Sequence, residues 1–558
     1  MTTVLVLLTA CVTVTTATSP LQLRRFGVNV HKDQSLSTSA MLDLCQAAQV
    51  TRQDGWWRFI EPTTRGVYDW TFTDSWMGAI NRTKGTTCAS GKTNLVNHFL
   101  LMGGNHLYTG KDQTSPTTPD AVAGYTRFVV AMMTRYVGLD ILWEIYNEAD
   151  LDARGWTVNQ YATLLKSVGK AVRANSVIAN EVIVGPSTSN VDCTYVQTLK
   201  TLGALQNVDA VSVHSYSAGG PEQMRGQYHA MREIIGYNTA LLSGEWGWAT
   251  CSVNGKPSNC VGGTMPDVVS KNDQAMYVAR QWLVNALERI PLSIYYDYTD
   301  DCSSKSCTTA YDRTQAEMNY GLRMSNSGAA KPAFNAAVAV QKFVGRRPFL
   351  AQLGNFQSTN NMEYVLSFGA EGDGPPAVSS SGGNAEVFAV WTLSADGSTT
   401  RVTGSKDNAY CAGDALFTGM SSDCNGLCQK TAGCRGYVTY STGSVHANSN
   451  CQLTASRCTI PRPVSGCGIN KRKANCGGNT TKTVTDQTVT DPACDSAVAH
   501  TLTPSPHPPS VVFTLPSGTR STCYSVFDVV GAALPDLCAV NGRMTVKATE
   551  SPVYLVGK

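Results

Sequence analysis

The sequence predicts an α/β protein built as a (β/α)8 TIM barrel followed by a β-sandwich, the sandwich interrupted by a disulfide-rich insertion. Three observations predict this. Short apolar, strand-like runs alternate with helical patterns from residue 24 to 345, which argues for parallel strands joined by crossover helices. After residue 346 the composition shifts to Gly, Ser, Thr and Val in alternating patterns, the mark of antiparallel strands. Cysteines then crowd into residues 408–480.

The elements follow in chain order. Val4 to Val12 is a short apolar run that gives way to small residues and Pro20, so residues 1–18 read as a secretory signal peptide, although no basic residue stands near Met1. The run is shorter than the roughly 20 residues of a spanning helix, no later segment is long and apolar enough to span, and the C-terminus carries no lipid-anchor tail. Eight barrel strands are expected at Phe26–Val30, Trp56–Ile60, Leu95–Met102, Ile141–Tyr146, Val182–Val184, Ala210–Val213, Ala240–Ser243 and Leu292–Tyr296. Helices such as Ala121–Tyr136, Tyr161–Ala174 and Asp273–Ile290 place apolar residues at helical spacing between them. The barrel thus occupies 24–345, and eight strands in this length are what such a barrel needs. Residues 346–407 and 508–558 read as the halves of the sandwich, with strands at Met362–Phe368, Ala385–Thr392, Ser510–Leu515, Tyr524–Val530, Met544–Ala548 and Ser551–Tyr554. The Thr-, Asp- and Pro-bearing stretch 481–507 reads as a linker returning from the insertion.

Composition limits the function. The chain has 558 residues, 42% apolar and 15% charged, which is ordinary for a globular protein. A net charge of +3 without a long basic block argues against nucleic acid or an anionic membrane as the main partner. Of 19 cysteines, setting Cys11 aside with the leader leaves an even number, as disulfides in an oxidising compartment require. The expected location is secreted or extracellular, with the lumen of the secretory or lysosomal pathway as the alternative. Metal binding is not favoured: there is no CxxC pair, and Cys424 and Cys428 have no histidine beside them. Cys251 to Cys260 and Cys302 to Cys307 could close short loops, but pairing cannot be read from the sequence. Asn81-Arg82-Thr83 and Asn479-Thr480-Thr481 are glycosylation sequons, hence surface positions.

Two runs carry the chemistry. Trp143-Glu144-Ile145-Tyr146-Asn147-Glu148 and Leu241-Leu242-Ser243-Gly244-Glu245-Trp246-Gly247-Trp248 are apolar strands that end on carboxylates. In a parallel barrel the C-terminal strand ends face the active site. Two glutamates there are what retaining glycoside hydrolysis uses, one as acid/base and one as nucleophile, with the carboxyl groups roughly 5–5.5 Å apart. Glu144 falls on the same pleat face as Tyr146 and Glu148 and could support the site from beneath. His98 reads as core.

Further runs stand around this pair. Arg52-Gln53-Asp54-Gly55-Trp56-Trp57 leads to Glu61-Pro62 and Gly66-Val67-Tyr68-Asp69-Trp70. Gly104-Asn105-His106-Leu107-Tyr108 follows strand 3, and Val211-Ser212-Val213-His214-Ser215-Tyr216 marks strand 6. Tyr295-Tyr296-Asp297-Tyr298-Thr299-Asp300-Asp301, Asn319-Tyr320-Gly321-Leu322 and Lys331-Pro332-Ala333 close the barrel. With these residues the chain resembles the retaining glycoside hydrolases whose catalytic glutamates sit on strands 4 and 7, and most of all the β-xylosidase and α-L-iduronidase family. The resemblance implies Glu148 as acid/base, Glu245 as nucleophile, Asn147 as the partner of the sugar 2-hydroxyl, Tyr216 and Arg52 beside the nucleophile, and His214 lining the site. It also implies a β-linked carbohydrate substrate and no metal or organic cofactor. Where relatives often have proline after the acid/base, this chain has Ala149.

Trp246, Tyr298, Trp248, Tyr296 and Tyr108 could be platforms for sugar rings or barrel packing, and Asn29, His31 and Asn105 could meet hydroxyls. In the insertion, Cys424, Cys428, Cys434-Arg435-Gly436-Tyr437-Val438 and Cys451-Gln452-Leu453 are similar to a PAN/Apple module, which implies a protein or glycan ligand. The expectation is a secreted retaining β-glycosidase acting on oligo- or polysaccharides. A catalytically lapsed carbohydrate-binding or adhesive protein is the alternative.

Overall fold

The computed structural model describes residues 26–31, 37–89, 91–92, 95–112, 114–151, 155–217, 220–250, 268–301, 316–325, 328–353, 362–370, 386–393, 511–516, 519 and 521–558, together with strand backbones between 415 and 501. The predicted leader lies outside the described residues.

Eight parallel strands close into a barrel: β1 (Phe26–Val30), β2 (Val50–Trp56), β3 (Val96–Met102), β4 (Leu142–Ile145), β5 (Val182–Thr188), β6 (Ala210–His214), β7 (Ala240–Trp246) and β8 (Ser293–Tyr295). β8 pairs back onto β1, with Phe26 opposite Ser293 and Val28 opposite Tyr295. Early strand positions form an apolar cluster of Val50, Leu142, Val182, Val184, Ala210, Leu242, Leu292 and Ile294. Further along the strands, buried positions turn polar: Asn29, Arg52, His98, Glu144, His214 and Glu245. An apolar bottom supplies burial, and the polar level above it holds the chemistry.

Crossover helices start where the chain offers a cap. Thr118 accepts from Ala121 N with Pro119 opening the helix Pro119–Arg135, and Thr157 with Gln160 forms a capping box on Val158–Ala174.

The second strand departs from expectation. It spans Val50–Trp56, and Trp57–Ile60, expected as strand, is a turn of helix with Trp57 and Ile60 buried. Thr51, Arg52 and Gln53 are buried polar residues, so the strand lacks the apolar run by which buried strands are recognised.

Past the barrel, six antiparallel strands form one sheet in the order Phe349–Gln352, Met362–Phe368, Val387–Leu393, Val553–Gly557, Cys523–Phe527, Ala533–Cys538, and Val511–Thr514 pairs with Arg543–Val546. Strand alternation splits the large sheet's two faces. Tyr364, Leu366, Phe368, Val387, Ala389, Trp391 and Tyr554 join the barrel's core, whereas Val365, Phe388, Val390, Val553 and Leu555 pack with Val511, Phe513, Met544 and Val546.

Within the inserted region, the backbones of Ala415–Gly419, Cys451–Thr454, Gly436–Tyr440 and Ala497–Thr501 make a four-stranded antiparallel sheet, and Thr480–Val484 pairs with Gln487–Asp491. The stretch expected as linker therefore contains strands, one of them paired with the insertion. The insertion's side chains lie outside the described residues, as do Cys251, Cys260, Cys302, Cys307 and Asn479. Cys45–Cys88 and Cys523–Cys538 are disulfides. Asn81 is exposed. Among the described residues no helix is long and apolar enough to cross a membrane.

Candidate active site

Arg52 organises the polar level. Its Nε and Nη2 donate to Glu144 Oε2 and Oε1, both at 2.9 Å, and Nη2 also donates to Asn147 Oδ1 at 2.9 Å. Nη1 donates to Asn29 Oδ1 and Glu245 Oε2, each at 3.1 Å. Burial opposes its charge, but Glu144 and Glu245 outweigh that and raise its pKa, so it stays cationic. Burial likewise pushes Glu144 up, yet Arg52 and His98, whose Nε2 is 2.8 Å away, hold it well below the carboxylate range. His98 is itself lowered by burial and is neutral.

Glu245 ends β7. Its Oε1 accepts from the Tyr216 hydroxyl at 2.7 Å, and burial next to this carboxylate raises Tyr216 well above its ordinary pKa, keeping it a donor. The strand reaches this position because residue 244 is glycine: a Cβ there would stand 2.0 Å from Ser212 Oγ on β6.

Glu148 lies just past β4 with φ 50, as Tyr146 does with φ 67. Left-handed backbone at a non-glycine residue costs about 1–3 kcal/mol and persists where neighbours enforce it. Here Tyr146 N donates to Leu101 O and Glu148 N to Ser187 O, both at 3.0 Å, tying the loop to β3 and β5. Asp150 fastens it further by accepting from Ser189 N at 2.9 and 3.0 Å and from Ser189 Oγ at 2.7 Å. Ala149, the residue after Glu148, is buried.

His214 joins the two carboxylates. Its Nδ1 lies 2.8 Å from Glu148 Oε1 and 3.6 Å from Glu245 Oε2, and its Nε2 is 3.0 Å from Ser187 Oγ. Burial opposes protonation, but Glu245's charge and the bond to Glu148 raise its pKa. Asn147 Nδ2 reaches Glu148 Oε2 at 3.2 Å. One ligand-type atom each from Glu148, His214 and Glu245 fall within 4.8 Å of one another. That geometry could hold a cation in principle, but the Arg52 guanidinium on Glu245 works against one here.

The structure therefore brings Glu148, Glu245, Asn147, Arg52, His214, Tyr216 and Asn29 together. It places others elsewhere. Trp246 is fully buried, donates to Ser293 Oγ at 2.9 Å and packs edge-on against Trp248, Trp282 and Tyr295, because it follows Glu245 and points to the opposite face of the strand. Tyr298 is 8% exposed and its hydroxyl donates to Asp43. Asn105 caps the short helix His106–Thr109 and donates to Glu61 O at 2.7 Å. Those three are packing and capping residues. His31 sits at the rim with Asp297 and Asp301, the second group among the described residues able to hold a metal. Ser187, Asp150 and Asp297 stand in no sequence pattern that marks them: Asp297 lies in the run Tyr295–Asp301, but only tertiary contacts single it out.

No family model matches the chain, and no curated protein matches it in sequence. Solved structures do resemble it. A family 39 glycoside hydrolase from Bacteroides cellulosilyticus WH2 superposes at TM-score 0.55 with 15% identity over 97% of this chain and 82% of that one. A GH30 endoxylanase from Clostridium papyrosolvens C71 does so at TM-score 0.50 with 11% identity over 96% and 97%, and a glucosidase from Croceicoccus marinus at TM-score 0.50 with 13% identity over 96% of each. At such identities the likeness establishes a shared fold.

Proposed function

We propose that the protein is a secreted retaining β-glycosidase that cleaves O-glycosidic bonds of oligo- or polysaccharides by double displacement. One observation carries the reading: Glu148 and Glu245 approach within 4.8 Å yet have different surroundings. Glu245 accepts from a guanidinium and a phenol, whereas Glu148 meets His214 and an amide. Such a separation suits retention, and unlike surroundings suit unlike roles. The solved structures of similar fold are described as a glycoside hydrolase, an endoxylanase and a glucosidase, which supports the same substrate class. The leader-like N-terminus, and the even number of cysteines left once Cys11 is set aside with it, support secretion. The insertion is the proposed PAN/Apple-like module, with a protein or glycan ligand.

In this mechanism Glu245 attacks the anomeric carbon as Glu148 gives its proton to the departing oxygen, forming a glycosyl-enzyme. Glu148 then takes a proton from water, which attacks the same carbon and releases Glu245. Arg52 and Tyr216 hydrogen-bond Glu245 and fix its orientation, and Asn147 offers a contact for the sugar 2-hydroxyl.

The test is hydrolysis of aryl β-xyloside, glucoside, galactoside and glucuronide, with xylans and β-glucans. Glu245→Ala should lower activity on the order of 10⁴-fold, and azide should restore turnover while giving a glycosyl azide of inverted configuration. Glu148→Ala with an activated leaving group should give the azide of retained configuration. Exchange of those two outcomes would reverse the assignments. Absence of turnover by folded wild-type protein on every substrate would refute the reading.

A further inference from the structure

Where β8 meets β1 at the barrel rim, three groups converge that the carboxylate pair does not use. His31 follows β1, and Asp297 and Asp301 follow β8. One ligand atom from each lies within 4.8 Å of the others. His31 Nδ1 is 3.1 Å from Asp301 Oδ1, and the Tyr296 hydroxyl donates to Asp301 Oδ2 at 3.2 Å. The seam's register brings them together, since Val28 pairs with Tyr295 and Tyr298 N donates to Asn29 O at 3.0 Å.

Asp297 is the informative member. It is 1% exposed, and neither carboxylate oxygen has a hydrogen-bond partner. Buried polar groups are nearly always paired, and a buried carboxylate without a partner is costly. Lys331, the nearby cation, is committed to Asp300 at 2.5 Å and Thr250 at 2.9 Å. Among the described residues, Asp297 shares the remaining nearby cation, His31, with Asp301.

We propose that His31, Asp297 and Asp301 bind one divalent cation of the zinc or manganese class. Two carboxylates match its charge. The imidazole nitrogen selects against calcium and magnesium, which prefer all-oxygen shells, and three protein ligands leave a position for water. The ion joins the barrel's first and last strand ends, independently of the glycosidase reading.

The experiment is calorimetric titration of the full chain, stripped with a chelator, with zinc, manganese, calcium or magnesium chloride. Expected are one equivalent of zinc or manganese, and calcium and magnesium at least tenfold weaker. Asp297→Asn and His31→Gln, each checked for folding by circular dichroism, should each weaken binding tenfold or more, and Glu148→Gln should leave it intact. No binding of zinc or manganese overturns the proposal. So does binding that survives both rim variants, or binding lost in Glu148→Gln, which would put the ion on the Glu148–His214–Glu245 group.

Discussion

A guanidinium held between two buried carboxylates sets the charge of the polar level. Arg52 spends two nitrogens on Glu144, which leaves Nη1 for Glu245 in one orientation. Tyr216 supplies Glu245's other partner, and a hydrogen bond to a charged group is worth about 1.5–3 kcal/mol. Tyr216→Phe should therefore lower kcat/KM roughly 10–150-fold with little loss of stability, measured on the best aryl glycoside; an unchanged rate would show that this bond does not matter to the nucleophile. Glu148 and Glu245 were legible in the sequence because each ends an apolar run, and strand ends in a parallel barrel are where chemistry collects. Trp246 misled for a related reason. Adjacent to Glu245 in sequence, it lies across the strand from it, where helix Lys271–Leu287 covers it. Asp297 drew no notice because what marks it is the lack of partners, which no local pattern records.

At the scale of the element, one carboxylate ties two crossover helices. Glu288, just after Lys271–Leu287, accepts from Arg225 Nε at 2.5 Å, lies 2.7 Å from His229 Nε2, and through its carbonyl accepts from Arg232, all three on the helix Met224–Ile235. Its own burial pushes the pKa up, but the bond to His229 and the charge of Arg225 bring it down to about 2 from 4.5. A folded-state pKa below the unfolded one means stability present above pH 4.5 and lost as pH falls towards 2. At about 1.4 kcal/mol per unit the link contributes on the order of 3 kcal/mol. Glu288→Gln should lose a similar amount at pH 7 and flatten the acid limb of a stability profile between pH 4.5 and 2, as urea unfolding at a series of pH values would show. A parallel acid limb in the variant would assign the loss to packing instead. Elements of this kind were legible wherever 3.6-residue periodicity ran long, as in Val158–Ala174. The second strand was displaced towards Trp56–Ile60 because its interior faces a polar site, and function had removed the apolar signal that propensity follows.

At the scale of the molecule, the large antiparallel sheet serves the barrel as an outer wall. Its barrel-facing side enters the barrel's core, with Phe343 of the last barrel helix 4.6 Å from Phe527 and 5.2 Å from Tyr554, ring to ring. Trp391 sits at the centre of this seam. It stacks on Tyr364 at 4.5 Å with the rings 2° from parallel, and its Nε1 donates to Glu222 Oε1 at 3.0 Å. Glu222 in turn accepts from Arg280 Nε at 2.8 Å and Nη2 at 2.5 Å. A parallel barrel and antiparallel strands after it could be read from the sequence, but this seam could not, because Glu222, Arg280 and Trp391 come from distant parts of the chain and none stands in a pattern that announces its partner. The physical consequence is cooperativity: removing the sheet would expose the barrel's apolar flank and leave a buried ion pair without its cover. Barrel and sheet should therefore unfold in one urea transition, with far-ultraviolet signal and catalytic activity lost together. Trp391→Ala, which deletes the stack and a donor to Glu222, should lower stability by about 3–5 kcal/mol and shift both signals to the same lower midpoint. Two separated transitions in the wild-type protein, or a variant in which only one signal moves, would show that the barrel stands without its wall.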